Sequence, residues 1–305
     1  MTRLAVDVGS LTLTNPVMTA SGTSGHGAEL GAFFDLAALG AVVVKSLASF
    51  AHAGNPAPRV RPATAGMLNS VGLEGPGIPA WIEDQLPRLE RSGATVVVSI
   101  WGRRLEEFAE AAEMLQNVSS CVAAVEVNVS CPNVEDRSKM FAHSPQATAE
   151  AIAATASCGR PRWAKLSPNV ADLVEIAGAA LGAGAEALTL VNTVLGLAVD
   201  PIRRTLALGT GRGGLSGPAI RPVALRAVYD CREAFPEAPI IGVGGVATGL
   251  DAVEMLMAGA NAVQVGTATF ENPRAPRIVV DELRQWCERE GVGDVTELIG
   301  AAQRR

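Results

Sequence analysis

Val125-Glu126-Val127-Asn128-Val129-Ser130-Cys131-Pro132-Asn133 reads as a strand that runs into a reactive turn. Ala123 to Val129 is a β-branched run, the pattern of a strand. Pro132 has no N–H and cannot extend a ladder, so the strand stops before it. Cys131 therefore stands just beyond a strand end, at the start of a loop, with Asn128 and Asn133 on either side. An asparagine offers a donor and an acceptor together, which suits a flat heterocycle with alternating C=O and N–H groups. Alone, such a cysteine equally suits a buried structural role, because free Cys is among the most buried residue types. The surrounding chain decides between the two.

Outward from this stretch, apolar runs recur at Val17–Ala20, Val42–Lys45, Thr95–Ile100, Ala124–Val129, Trp163–Leu166, Ala187–Val191, Ile240–Val243 and Val263–Val265. Continuous apolar runs belong to strands covered on both faces, as in a parallel sheet. Helical periodicity falls between them, at Ala28–Leu39, Ile78–Arg91, Leu105–Leu115, Gln146–Ala156, Ala171–Leu181, Pro222–Phe235 and Leu250–Met257, and again at Arg277–Arg289 after the last strand. The α/β alternation with eight strands in roughly 250 core residues predicts a (β/α)8 TIM barrel rather than an open doubly wound sheet. One domain is expected over 1–305, opening with a short hairpin within Leu4 to Leu13. Two insertions, Phe50–Gly77 and Asp200–Ile220, are too long to be plain connections. Long loops at one end of a barrel carry function.

Composition narrows the partners. The 305 residues are 48 % hydrophobic with a formal net charge of −6, and no Lys/Arg stripe forms, which argues against nucleic acid. No apolar run reaches the roughly 18–20 residues of a membrane span, and Asp7 interrupts the first apolar stretch, so the expected location is the cytoplasm. Five scattered cysteines contain no C-x-x-C pair, and the three histidines His26, His52 and His143 have no ligand spacing. No metal site is expected.

Chemistry collects at the C-terminal strand ends, where barrel enzymes place their sites. Ser21-Gly22, Lys45-Ser46, Asn128 with Cys131, Lys165, Asn192-Thr193, Gly244-Gly245 and Gly266-Thr267 all stand there. Gly242-Val243-Gly244-Gly245-Val246 before a helix, followed by Val265-Gly266-Thr267, offers bare backbone N–H groups to a phosphate after strands seven and eight. The third glycine of a dinucleotide fingerprint is missing, so a mononucleotide is expected. Lys45 and Lys165 sit in apolar surroundings, and a cation beside a flavin's N1–C2 carbonyl stabilises the reduced ring. Asn69, within Gly66 to Leu73, is placed to fold over the mouth with the first insertion.

These residues resemble the class 1 dihydroorotate dehydrogenase family. The resemblance rests on Asn128-x-Ser130-Cys131-Pro132-Asn133, Ala164-Lys165-Leu166-Ser167-Pro168-Asn169, Gly213-Gly214-Leu215-Ser216-Gly217-Pro218-Ala219, the Gly242–Val246 run and Gly54-Asn55-Pro56-x-Pro58-Arg59, in that family's order from about Leu4 to Pro273. Met67-Leu68-Asn69 within Gly66 to Gly77 is more like subclass B. The resemblance implies FMN-dependent oxidation of dihydroorotate to orotate in pyrimidine biosynthesis, with Cys131 as the base that takes the C5 proton and Lys45 between substrate and flavin. It implies an FMN site of Ser21, Lys45, Ser46, Asn128, Lys165, Val191, Gly217, Gly244, Gly245, Gly266 and Thr267. It implies a substrate site of Lys45, Asn69, Ser70, Val71, Gly72, Leu73, Asn128, Asn133, Asn192 and Thr193. It further implies a homodimer core working with a separate FAD and iron–sulfur electron-transfer subunit and NAD.

Two departures stand out. Ser99 replaces the family's usual asparagine at the end of strand three, and the stretch from Val134 to Met140 is more charged than the Gly-rich loop usual there, which would close over the substrate. A dihydropyrimidine dehydrogenase-like subunit, a fumarate-reducing class 1A homodimer and a non-catalytic FMN- or phosphate-binding barrel are the alternatives. The first of these tends to have His where Asn133 stands.

Overall fold

The computed structural model describes residues 2–133 and 139–304, with the backbone alone at 132, 133 and 139. Eight parallel strands form one sheet: β1 (Val17–Thr19), β2 (Val42–Leu47), β3 (Val96–Ile100), β4 (Val122–Asn128), β5 (Arg162–Lys165), β6 (Ala187–Leu190), β7 (Ile240–Val243) and β8 (Ala262–Val265). From β2 to β8 each neighbours the next in sequence, and β8 returns to β1, pairing Val263 with Val17 and Val265 with Thr19. The seam between β1 and β2 is stitched by a side chain. Thr19 Oγ1 accepts from the Val43 N–H at 2.8 Å and donates to the Val43 carbonyl at 3.2 Å. A threonine hydroxyl can do both, so it replaces one rung of the ladder.

The strands follow from valine. Val42, Val43, Val44, Val96, Val97 and Val98 have no solvent exposure, as a β-branched run sandwiched between barrel interior and helices requires. The helical layer comprises α1 (Ile78–Asp84), α2 (Leu86–Arg91), α3 (Leu105–Met114), α4 (Pro145–Ala154), α5 (Leu173–Gly182), α6 (Arg221–Ala234), α7 (Gly249–Ala258), α8 (Ala268–Glu271) and α9 (Ala275–Glu290). In α3 the buried residues Phe108, Ala111 and Ala112 share one face while Glu106 and Glu107 occupy the first turn, which favours the helix dipole. Thr248 and Asp251 form a reciprocal capping box at the start of α7. No helix among the described residues is long and apolar enough to cross a membrane.

One expected helix is absent as such. Ala28–Leu39 forms two short 3₁₀ turns, Glu29–Ala32 and Leu36–Ala38. The Asp35 side chain accepts from the Ala37 N–H and caps the second turn, restarting the chain there. Asp is favoured at caps and turns over helix interiors. Ile78–Arg91 is likewise two helices joined at Gln85, with Pro87 just inside the second.

The N-terminal hairpin, Val6–Val8 with Leu11–Leu13, sits at the bottom of the barrel. Ser10 Oγ donates to Glu186 ahead of β6 at 2.8 Å, and Asn261 ahead of β8 donates to the Asp7 carbonyl at 3.3 Å. At the other end the two insertions fold together. Val194–Leu197, Arg212–Ser216, Gly66–Asn69 and Val60–Ala63 make a four-stranded antiparallel sheet in that order. The second and first insertions pair directly, Gly214 opposite Asn69 and Leu215 opposite Leu68.

Candidate active site

The C-terminal ends of the strands surround a pocket. One wall is backbone. Gly244 and Gly245 follow β7 with φ of +137° and +77°, and Gly217 stands opposite at +92°. A Cβ on Gly245 would lie 2.7 Å from Arg221 Cβ and 3.0 Å from the Gly217 carbonyl. Only glycine allows the chain to turn so closely here. The backbone N–H groups of Gly244, Gly245, Gly266 and Thr267 have no acceptor among the described residues. Convergent free N–H groups beside glycine form an anion cradle.

Lys165 is the one charged residue lining this pocket among the described residues. It ends β5 and is nearly fully buried. Ser21, Val191, Asn192, Thr193, Gly217 and Thr267 complete the expected lining. Thr23 and Ser216 also line it and were not anticipated. Ser216 lies inside the quoted glycine-rich motif, beside Gly217, and its hydroxyl accepts from Thr267 Oγ1 at 2.7 Å. Its adjacency to Gly217 was the available signal. Thr23 carried none.

The opposite wall is a chain of hydroxyls and amides. Ser21 Oγ lies 3.1 Å from Ser46 Oγ, which lies 2.9 Å from Ser99 Oγ. Asn128 Nδ2 donates to Ser46 at 3.3 Å, and Asn192 Nδ2 donates to Asn128 Oδ1 at 3.3 Å. Ser46 and Asn128 thus reach the pocket through Ser21 and Asn192, which line it. Ser99 belongs to this chain despite being excluded from the expected site. Ser99 does not line the pocket, and its hydroxyl meets Ser46.

Cys131 stands three residues beyond Asn128, at the same end of the barrel, but does not line the pocket. Its side chain has no solvent exposure. Sγ donates to the Gly102 carbonyl at 2.9 Å, with the Asn128 carbonyl at 3.2 Å. Burial pushes the thiol up to about 12. The side chain of Asn133 and the charged residues 134–138 lie outside the described residues.

Lys45, half-buried at the end of β2, does not line the pocket. Burial pushes its ammonium below the usual lysine range, Glu74 opposes this and Arg59 adds to it. Glu74 is ion-paired to Arg59. His26 is also pushed down, first by burial and then by the Lys45 charge. Asn69 and Ser70 to Leu73 run along the inserted sheet and its edge. Asn69 Nδ2 reaches the Gly214 carbonyl at 3.4 Å, and Asn55 Nδ2 holds the Ser70 carbonyl at 3.1 Å. A Cβ on Gly214 would fall 2.0 Å from Thr193 Oγ1, so Gly214 lets the sheet dock directly on the end of β6. The structure therefore brings Asn69, Asn192 and Thr193 to one side of the mouth.

The sequence matches the family model described as "Dihydroorotate dehydrogenase" over residues 3–286. It is 48% identical over 303 residues to the dihydroorotate dehydrogenase B (NAD(+)) catalytic subunit of Desulforudis audaxviator, covering 99% of this chain and 98% of that protein. The proteins of the same name from Geotalea uraniireducens and Geobacter sulfurreducens are 46% and 45% identical, with 98% of this chain covered in each case and 97% and 98% of those proteins.

Proposed function

This chain belongs to the dihydroorotate dehydrogenase family, and on that premise we propose that it oxidises dihydroorotate to orotate in pyrimidine biosynthesis, using FMN and a separate electron-transfer subunit. The observation that carries the cofactor is the glycine wall. Four N–H groups without acceptors surround a turn that no side chain can enter, and such a wall fits a phosphate monoester. Gly244, Gly245, Gly266 and Thr267 would hold that phosphate. Ser21, Ser46, Asn128, Val191 and Gly217 would border the ring, and Lys165 would face it with a positive charge. FMN, when bound, supplies the acceptor for the two electrons that leave substrate C6 with a proton as a hydride.

The protein's own residues do the rest. Asn69, Asn128, Asn192 and Thr193, with Asn133, Lys45 and the stretch Ser70, Val71, Gly72 and Leu73, would hold the planar ring and carboxylate by paired donors and acceptors. Cys131 would take the C5 proton. A buried thiol near 12 is protonated at neutral pH, and only a thiolate can accept a proton. Substrate binding must therefore loosen the thiol from the Gly102 carbonyl and surround it with groups that favour the anion. The relatives' names mark them as catalytic subunits of NAD(+)-dependent enzymes, and the proposal carries that over. A homodimeric core meeting an FAD and iron–sulfur subunit would pass the electrons to NAD.

The test is spectroscopic. The purified chain should carry a yellow flavin that bleaches on adding dihydroorotate, and should pass electrons to an artificial dye. Rapid NAD reduction by the chain alone would remove the need for a partner. A flavin that stays oxidised with dihydroorotate but bleaches with dihydrouracil would transfer the assignment to dihydropyrimidine oxidation.

A further inference from the structure

Inside the barrel a second polar group meets Lys165. Glu126 on β4 and Gln264 on β8 have no solvent exposure, and the Lys165 side chain is 7% exposed. Lys165 Nζ lies 3.5 Å from Glu126 Oε1, and Gln264 Nε2 donates to Glu126 Oε2 at 2.8 Å. The strand register sets this up. Glu126 pairs with Trp163 across β4 and β5, two residues below the Asn128–Lys165 pair. Side chains two apart share a face, so Glu126 and Asn128 both turn toward the barrel interior.

Stability alone does not account for a carboxylate there. Removing a carboxylate from water is costly, and apolar residues of similar volume often hold a fold as well as a buried ion pair does. Burial disfavours the charged form of an amine, and a carboxylate beside it favours that form. Lys165 faces the pocket on one side and Glu126 on the other, while Gln264 fixes how the carboxylate points.

We propose that Glu126 is a positioning residue that keeps Lys165 charged and held at the pocket wall, and so raises the electron affinity of the flavin bound there. This rests on the FMN reading above. Lys165 lines the pocket and Glu126 does not, so the cation is nearer the ring than the carboxylate. Loss of the cation therefore outweighs loss of the anion.

The experiment is the two-electron reduction of FMN-loaded protein in equilibrium with a reference dye at pH 7. Glu126→Gln should shift the ratio of reduced to oxidised flavin at least tenfold toward oxidised, about 30 mV for this couple. Lys165→Met should shift it at least as far, and the double variant no further than Lys165→Met. Gln264→Met keeps the carboxylate but removes its second partner, and should give a shift of about threefold in the same direction. An unchanged or raised potential in Glu126→Gln overturns the inference, as do additive shifts in the double variant. If neither Glu126→Gln nor Gln264→Met folds, the group is structural and the inference falls. Wild-type protein that takes up no FMN overturns the cofactor reading as well, whereas loaded protein with an unmoved potential sinks only the role of Glu126.

Discussion

The two sides of the barrel mouth are built differently. Beyond β7 and β8 the wall is backbone, with glycines at positive φ and N–H groups that have no acceptor among the described residues. At β2, β3 and β4 the wall is side chain, closed on itself, with Ser46 bonded to Ser99 and Asn128 and Cys131 sealed against Gly102. A group that is held through every turnover needs a site that costs nothing to form, and backbone supplies it. A base that must change protonation needs surroundings that differ between resting and reacting states. On the proposed reading, the difference separates a binding side of backbone already in place from a chemical side whose side chains must re-pair when substrate binds.

That contrast breaks most sharply at Cys131. Cys131→Ala should slow flavin reduction by dihydroorotate by about 10²–10⁴-fold while flavin content stays at the wild-type level, read by rapid-mixing absorbance. Flavin lost together with the rate would mean the two sides are not separable. On the backbone side, Gly245→Val forces a side chain into Arg221 and a left-handed turn. A strain of about 3 kcal/mol would weaken FMN binding roughly 100-fold by fluorescence titration, without altering the pH profile of whatever flavin remains bound.

The pH profile sharpens the comparison further. Because the thiol rests near 12, its thiolate fraction rises with pH throughout the neutral range. The single-turnover rate should climb by up to about tenfold per pH unit on its acid limb, and Cys131→Ser should move that limb to higher pH. FMN affinity, carried on the proposed reading by backbone N–H groups, should not follow that limb. The smallest effect is expected where the inserted sheet touches the barrel. Gly214→Ala meets Thr193, and overpacking of about 1–3 kcal/mol should raise the KM for dihydroorotate several-fold with kcat nearly unchanged. A fall in kcat instead would place Gly214 on the chemical side.

The valine-rich strands were legible because burial on both faces leaves no choice but continuous apolar residues, so β2, β3 and β7 stand close to where periodicity puts them. Apolar spacing predicts a helix over Ala28–Leu39 but does not reveal that Asp35 caps a new turn there. Ser99 stands outside the expected site because it departs from the family's usual asparagine, and it does not line the pocket. Only the folded chain puts its hydroxyl against Ser46.

The sequence by itself determined the barrel, the glycine wall and the reactive strand end, because backbone conformation, side-chain period and proline each act within a few residues. The tertiary structure alone decided three other things. It paired the two insertions across 145 residues of chain to bring Asn69 onto Gly214, it set Glu126 beneath Lys165, and it buried Cys131. Each depends on groups distant in sequence meeting, and for the buried Cys131 and Glu126 the low dielectric makes partner and distance matter as much as residue type.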